Sequence, residues 1–224
     1  LFLHAFCLLP MKKYIMFDLD GTLIDSSKDV TRLLIKALCD CGYPVAKDTY
    51  IKIGPPLNKM IEAAVPSVTQ EDNQKIVEYF RKLYKVDGTV MTTPYHGIIS
   101  LLKRLRADGC KIFIVTYKPR PMCKGLLPKF FDGLYDDLIT PTDIEDFEKG
   151  KSKVDMFKLL LKKWNTTADA CVMIGDAKSD VECANAAGIT SIGAEYGYAE
   201  KDDLRNADYI VSDVKDLYEC IKSI

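Results

Sequence analysis

Two carboxylates stand two positions apart in the segment Asp18-x-Asp20-Gly21-Thr22, directly after a short apolar run. The run 14–17 has the composition of a buried parallel strand, and glycine permits a sharp turn where the strand ends. Open α/β sheets place their ligands at the carboxyl ends of strands. One carboxylate in such a place can attack phosphorus while its neighbour handles protons.

A second pair of carboxylates, Asp176 and Asp180, follows another apolar run at 171–174. If both runs are parallel strands of one sheet, three or four acids converge at the same edge. Carboxylates this close repel one another unless a cation lies among them. Hard oxygen ligands with a phosphate nearby are the usual surroundings of Mg²⁺ in proteins, so we expect a magnesium site here.

The same sheet edge also offers groups that can hold a phosphate. An apolar run ends at Thr116 and Tyr117, which supply a hydroxyl and exposed backbone N–H groups. A dianionic phosphate also needs positive charge, and Lys151 and Lys153 precede a predicted helix over 155–163. Each of these signals is weak alone, because lysine at a helix start is usually a solvated charge.

The spacing of apolar residues predicts the elements that carry these groups. Three- and four-residue steps predict helices, and short apolar runs predict buried strands. Alternation of the two predicts an α/β fold, a doubly wound (Rossmann-like) parallel sheet. Residues 25–90 contain no strand pattern, which indicates a small all-helical insert after the first strand. The predicted helices lie at 26–41, 57–65, 70–84 and 155–163, and the predicted strands at 14–17, 111–115, 171–174, 189–192 and 209–211.

Composition narrows the class of protein further. Of the 224 residues, 48% are hydrophobic and 28% charged, which is typical of a globular chain and not of a disordered or membrane one. The 31 basic and 32 acidic residues nearly cancel, so nucleic acid and membrane are not expected partners. Eight scattered cysteines favour reduced thiols and a cytoplasmic location. We expect residues 1–10 to be a non-native or disordered extension before a start at Met11.

In this order and spacing, the aspartate pair after the first strand, Thr116, a downstream lysine and Gly175-Asp176-x-x-x-Asp180 resemble the four motifs of the haloacid dehalogenase superfamily. Further segments are similar to the phosphoglycolate-phosphatase-like branch, and the likeness spans nearly the whole chain from Met11. These segments are 53–57, 94–97, 186–189, 196–198 and 207–211. The resemblance implies a catalytic core of residues 11–24 and 91–224, with residues 25–90 as a mobile helical cap.

The resemblance also implies roles for the site residues. Asp18 would be the nucleophile that forms an aspartyl-phosphate, and Asp20 would protonate the leaving alcohol and then activate water. Mg²⁺ would be held by the Asp18 carboxylate, the Asp20 backbone carbonyl and Asp176. Asp180 would complete the metal shell through water or orient the lysine.

The remaining family roles concern the transferring phosphoryl group. Thr116 and the lysine would hold it, together with the backbone at Leu19 and Tyr117. Tyr117 stands where relatives often have asparagine, so its backbone N–H is the part that matters. The lysine stays open. Lys151 fits an alignment on Asp155, whereas Lys153 fits relatives with a shorter Lys-x-Asp pattern, and we favour Lys153.

The expected function is therefore a Mg²⁺-dependent phosphatase that acts on a small phosphorylated metabolite. A sugar phosphomutase or a pyrophosphatase of the same superfamily, or a catalytically idle phosphate-binding module, are the alternatives. The presence of every expected acid argues against idleness. For the oligomeric state, a monomer is the default expectation and a weak homodimer the alternative.

Overall fold

The computed structural model describes residues 13–147, 149–200 and 202–224. Its centre is a six-stranded sheet in the order β5-β4-β1-β6-β7-β8, with every neighbouring pair parallel. This confirms the predicted doubly wound sheet. The strands are Tyr14–Phe17 (β1), Lys111–Val115 (β4), Asp137–Ile139 (β5), Cys171–Gly175 (β6), Thr190–Ala194 (β7) and Tyr209–Val211 (β8).

Strand β1 lies in the middle of the sheet because its side chains are apolar on both faces. Phe17, its last residue, pairs in register with Ile114 of β4 and Ile174 of β6. The three strands therefore end side by side. Whatever follows them in sequence meets at one edge of the sheet, which is the placement expected for Asp18, Thr116 and Asp176.

Alternate residues of the strands enter two separate apolar layers. Ile15 and Phe17 face one layer and Met16 faces the other. Helices α4 (Ile98–Ala107) and α9 (Val214–Lys222) contribute to the first layer, together with the short helices Arg120–Cys123 (α5) and Leu127–Phe131 (α6). Helix α7 (Lys153–Lys163) and helix α8 (Lys178–Ala186) cover the second layer.

Residues 25–90, which we call the helical insert, have an apolar cluster of their own. Helices α1 (Ser27–Asp40), α2 (Leu57–Ala64) and α3 (Gln70–Asp87) pack around it. The side chains that meet there recur at the three- and four-residue steps that predicted the helices. They include Leu33, Leu34, Leu38, Ile61, Ile76 and Phe80. The division into a core and a cap domain stays a prediction.

A two-stranded antiparallel ribbon joins the helical insert to the sheet. Ile24–Asp25 (β2) leads the chain out and Thr93–Pro94 (β3) brings it back. Asp29 fastens the two crossings together. Its Oδ2 accepts hydrogen bonds from the backbone N–H groups of Met91 and Thr92, both 2.8 Å, and from the Thr92 hydroxyl at 2.9 Å.

The structure corrects the sequence-based assignment at several points. Strand β5 was missed because only two of its three residues are apolar, whereas the equally short β8 is apolar throughout. Strand β7 lies at 190–194 rather than 189–192. Helix α7 begins at Lys153 rather than Asp155, because Ser152 and Asp155 cap it as a capping box: the Ser152 hydroxyl accepts from the Val154 N–H at 3.3 Å, and the Asp155 carboxylate accepts from the Ser152 N–H at 3.0 Å. The pattern Ser-x-x-Asp was visible in the sequence.

The expectations for residues 1–10 and Met11 lie outside the described residues. Within the described ranges, no helix combines the length and the apolar character that crossing a membrane requires.

Candidate active site

Asp18 and Asp20 occupy the loop that leaves β1, as predicted. The backbone N–H of Asp18 still belongs to the sheet and donates to the carbonyl of Ile174 at 2.9 Å. The chain then turns at Gly21, whose φ is +89°. A Cβ on Gly21 would lie 2.0 Å from Oδ2 of Asp176. Glycine is required here because the turn has a positive φ and because the Asp176 carboxylate leaves no room for a side chain.

Asp18, Asp176 and Asp180 form one group, which we call the acid cluster. Each offers a carboxylate oxygen, and these oxygens lie within 4.8 Å of one another. All three side chains are buried. Hard oxygen donors at this spacing suit Mg²⁺, because buried carboxylates so close together need a neutralising cation.

Lys153 supplies one positive charge to the acid cluster. Its ammonium donates to Oδ1 of Asp18 at 2.6 Å and also to Oδ1 of Asp180. The side chain is 1% exposed, whereas Lys151 is exposed to solvent. The structure therefore brings Lys153, and not Lys151, to Asp18. As the first residue of α7, Lys153 is aimed by the same capping box that begins the helix.

Burial and the repulsion of neighbouring carboxylates raise the pKa values of Asp18 and Asp176. Desolvation raises the pKa of Asp18 to about 8, with Lys153 opposing and Asp180 and Asp176 adding to the rise. Burial likewise raises the pKa of Asp176 to about 7, reinforced by Asp180. Burial alone would lower the pKa of Lys153, but Asp18 and Asp180 outweigh it and raise that pKa. The single positive charge of Lys153 does not neutralise three carboxylates, which supports a divalent-cation site at the acid cluster.

Asp176 is held in place by two neighbours from distant parts of the chain. Its Oδ1 accepts from the Thr22 hydroxyl at 2.8 Å, and its Oδ2 accepts from the backbone N–H of Tyr198 at 2.8 Å. A Cβ on Gly197 would lie 2.1 Å from the carbonyl oxygen of Gly21. The loop after β7 can approach this closely only because it has glycine there.

The predicted phosphate-holding residues lie at the end of β4 and β1. Thr116 is buried, and its hydroxyl accepts from the backbone N–H of Lys118 at 3.1 Å. Tyr117 presents its ring to the Lys153 ammonium, which lies 5.2 Å from the ring centroid. Leu19 is fully buried. Their roles in binding phosphate stay predictions.

Lys118 belongs to the site and was not predicted from the sequence. Its ammonium donates to both carboxylate oxygens of Asp20, at 2.9 and 3.0 Å, and its side chain is 5% exposed. The Ser26 hydroxyl donates to the same carboxylate at 2.5 Å. Ser26 directly precedes α1, but its side chain makes no capping hydrogen bond to that helix and serves Asp20 instead. The only available signal was the position of Lys118 two residues beyond Thr116.

The parallel sheet and the acid cluster at its edge define an α/β enzyme core whose reactive groups are carboxylates. The chain belongs to the haloacid dehalogenase-like hydrolase family, whose model matches residues 15–194. The membership expected from the motifs is confirmed, including the phosphoglycolate-phosphatase-like branch.

Curated relatives carry two kinds of name. A phosphoglycolate phosphatase from Aquifex aeolicus is 32% identical over 192 residues, which cover 84% of this chain and 87% of the relative. The tyrosine-protein kinase PtkA of Mycobacterium tuberculosis is 31% identical over 191 residues, covering 84% of this chain. The match spans only 64% of the length of that kinase.

Solved structures share the whole fold. The crystal structure described as a predicted phosphatase from Clostridium acetobutylicum has a TM-score of 0.84 at 28% identity, covering 96% of this chain and all of that one. The Mycobacterium tuberculosis protein tyrosine kinase A has a TM-score of 0.79 at 25% identity, with 95% and 99% covered.

Proposed function

We propose that the protein is a Mg²⁺-dependent phosphatase that hydrolyses a small phosphate monoester through an aspartyl-phosphate on Asp18. The observation that carries this proposal is the buried lysine inside the acid cluster. Lys153 lies 2.6 Å from Asp18, where it can offset the charge of a phosphoryl group brought to that carboxylate. Membership of the hydrolase family and the phosphoglycolate phosphatases among the relatives support the same chemistry.

The reaction proceeds in two displacements at phosphorus. A carboxylate oxygen of Asp18 attacks the phosphorus, and the bond from phosphorus to the ester oxygen breaks as the alcohol departs with a proton from Asp20. Water then attacks the aspartyl-phosphate and gives up its proton to Asp20. Inorganic phosphate leaves and the Asp18 carboxylate is restored.

Asp20 is well placed for both proton transfers. It follows Asp18 by two residues on the same loop, and Lys118 and Ser26 hold its carboxylate in one orientation. Its side chain is 18% exposed, so water can reach it. Asp18, in contrast, is covered by Lys153 and the other acids, as suits a nucleophile that must be kept from bulk solvent.

The metal would be held by the carboxylates of Asp18 and Asp176 and by the backbone carbonyl of Asp20. When bound, it supplies positive charge to the phosphoryl oxygens and to the acid cluster. Asp180 bonds to Lys153 and accepts from the backbone N–H of Ala177 at 3.0 Å, so in this arrangement it orients the lysine.

The first substrate to test is 2-phosphoglycolate, because relatives of similar length are named for it. Phosphoryl transfer to protein tyrosine is the second candidate, since relatives of equal identity are named tyrosine-protein kinases. The two functions differ in the acceptor of the phosphoryl group, which is water in one and a tyrosine hydroxyl in the other.

The experiment is a panel of phosphate monoesters, pyrophosphate and ATP with a tyrosine peptide, each with Mg²⁺ or with EDTA. Released phosphate and phosphotyrosine are both measured. We expect phosphate release from a small monoester, dependent on Mg²⁺ and abolished by Asp18→Asn. The matched control Asp40→Asn changes an exposed aspartate and should match the wild type. Undiminished turnover by Asp18→Asn, or phosphotyrosine without phosphate release, would contradict the proposal.

A further inference from the structure

The hydroxyl of Tyr84 is buried and has no hydrogen-bond partner among the described residues. The residue is 3% exposed. Buried polar groups in native proteins are nearly always paired, because an unpaired hydroxyl has lost its water without compensation. No other buried side-chain nitrogen or oxygen in the described ranges lacks a hydrogen-bond partner. A ligand that pairs with the hydroxyl would remove this cost.

Packing fixes the Tyr84 ring and therefore the position of its hydroxyl. It packs against Phe80 with 5.7 Å between the ring centroids. Gly88 lies under it, and a Cβ there would come within 2.3 Å of the ring. Gly88, the residue that caps the end of α3, therefore leaves the Tyr84 ring the space that a side chain would fill. The unpaired hydroxyl is part of a built arrangement.

This arrangement places Tyr84 beside the candidate acid and base. The Lys118 ammonium lies 4.5 Å from the centroid of the Tyr84 ring and donates to both oxygens of Asp20. Burial raises the pKa of Tyr84, and Lys118 acts against this rise. One ammonium thus stands between a residue of the helical insert and the carboxylate that would protonate the leaving alcohol.

We propose that the Tyr84 hydroxyl donates a hydrogen bond to the leaving group of the substrate and selects alcohols that carry an oxygen on the carbon next to the ester carbon. The inference rests on the proposed function, because only in that mechanism does Asp20 lie next to the ester oxygen of the substrate. The Asp20 carboxylate and the Tyr84 ring lie against the same ammonium, so one small molecule bound at Asp20 would lie beside Tyr84. Tyr84 is then the contribution of the helical insert to substrate choice.

The test compares Tyr84→Phe with wild type on three esters that differ at one position. The esters are 2-phosphoglycolate, with a carboxylate; 2-hydroxyethyl phosphate, with a hydroxyl; and ethyl phosphate, with neither. We expect kcat/KM to fall about tenfold on the first two and to stay within about twofold on ethyl phosphate, as the loss of one hydrogen bond predicts.

Tyr79→Phe is the matched control. Tyr79 lies on the same helix, but its hydroxyl already donates to Asp40 at 2.8 Å, on the exposed side. It should leave all three esters unchanged. The free Tyr84→Phe protein should unfold at the same or a higher temperature than wild type, since it loses an unpaired buried group. An equal loss of kcat/KM on all three esters, or no loss on any, overturns the inference.

Binding separates this inference from the proposed function. Calorimetry on Asp18→Asn and on Asp18→Asn/Tyr84→Phe, both with Mg²⁺, measures affinity without turnover. We expect about tenfold weaker binding of 2-phosphoglycolate to the double variant and equal binding of ethyl phosphate. If the wild type shows no phosphatase turnover but the two variants still differ in affinity, the proposed function fails and the role of Tyr84 stands. Equal affinity of both variants for 2-phosphoglycolate would sink the role of Tyr84 alone.

Discussion

The acid cluster and the boundary between the helical insert and the sheet are built in opposite ways. The acid cluster gathers buried charges that follow adjacent strands, and each charge is fixed by backbone hydrogen bonds or by another buried charge. The boundary, in contrast, is crossed by long side chains. Lys52 reaches Glu200 at 2.7 Å and Asp203 at 3.2 Å, and Tyr50 reaches Glu200 at 2.9 Å.

The two regions also differ in exposure. Lys153 is 1% exposed, whereas the side chains of Lys52 and Glu200 are 36% and 46% exposed. Charges in contact with water are screened and contribute little, while a buried charge that loses its partner is strongly destabilising. The groups for chemistry are therefore fixed by buried contacts, whereas Lys52 and Tyr50 join the helical insert to the rest of the chain through solvent-exposed ones. That the helical insert is a mobile cap stays a prediction.

The largest expected effect is the loss of activity on replacing Lys153, and it tests whether the buried charges of the acid cluster carry the chemistry. Lys153→Ala should lower kcat/KM about a thousandfold, because it removes the positive charge beside the nucleophile. Lys151→Ala should stay within about twofold, since Lys151 is exposed. Steady-state kinetics on one active ester measure both variants.

Lys153→Ala also leaves Asp18 and Asp180 without their cation, so its unfolding temperature must be recorded. Lys153→Arg keeps the charge but changes its geometry, and it should fold better while remaining slow. Equal activity of the Lys151 and Lys153 variants would show that the buried ion pair has no catalytic role.

Removal of the metal tests whether the acid cluster is a cation site. An acid whose pKa is raised in the folded state binds protons more tightly there, so folding stability falls as pH rises from the unfolded value towards the folded one. For Asp18 this window runs from 3.8 to about 8, and for Asp176 it ends at about 7. Mg²⁺ should therefore raise Tm over EDTA by roughly 5 °C at pH 8 and much less at pH 5.

Scanning calorimetry or thermal shift at the two pH values measures this difference. Asp176→Asn should abolish it, and Asp40→Asn should preserve it. A Mg²⁺ effect that is independent of pH, or that survives Asp176→Asn, would place the cation elsewhere.

The attachment of the helical insert at Asp29 should be an exception to the weak boundary. Asp29→Ala removes the acceptor of the Met91 and Thr92 N–H groups and should lower the free energy of unfolding by about 3 kcal/mol. Asp40→Ala removes an aspartate whose hydrogen bonds with Lys36 and Tyr79 face solvent, so its effect should be much smaller than that of Asp29→Ala. Urea denaturation compares the two, and equal losses would refute the distinction.

The smallest effect is expected at Lys52. Lys52→Ala should change the free energy of unfolding by less than about 0.5 kcal/mol and KM by at most about threefold, with the KM change vanishing at high salt. Lys59→Ala is the control, because Lys59 bonds to Glu62 at 2.7 Å within the helical insert. A large effect of Lys52→Ala on kcat would mean that these exposed pairs govern the chemistry.

Local pattern was enough to predict the sheet and most of its reactive edge. A buried strand is short and apolar, so its end is visible in the sequence, and parallel strands must end together. The sequence alone therefore places Asp18, Asp20, Thr116 and Asp176 in one region. Strand β5 was missed because it is short and begins with a charged residue, whereas the equally short β8 is apolar throughout.

The choice between the two lysines and the contacts of Lys118 and Tyr84 were decided only by the tertiary structure. Lys151 and Lys153 are two residues apart, and the start and direction of α7 determine which ammonium reaches Asp18. Lys118 and Tyr84 are far apart in the sequence and meet because α3 packs against α5, just after the end of β4. Side-chain contacts between separately folded segments depend on how those segments pack, and no local period in the sequence encodes that.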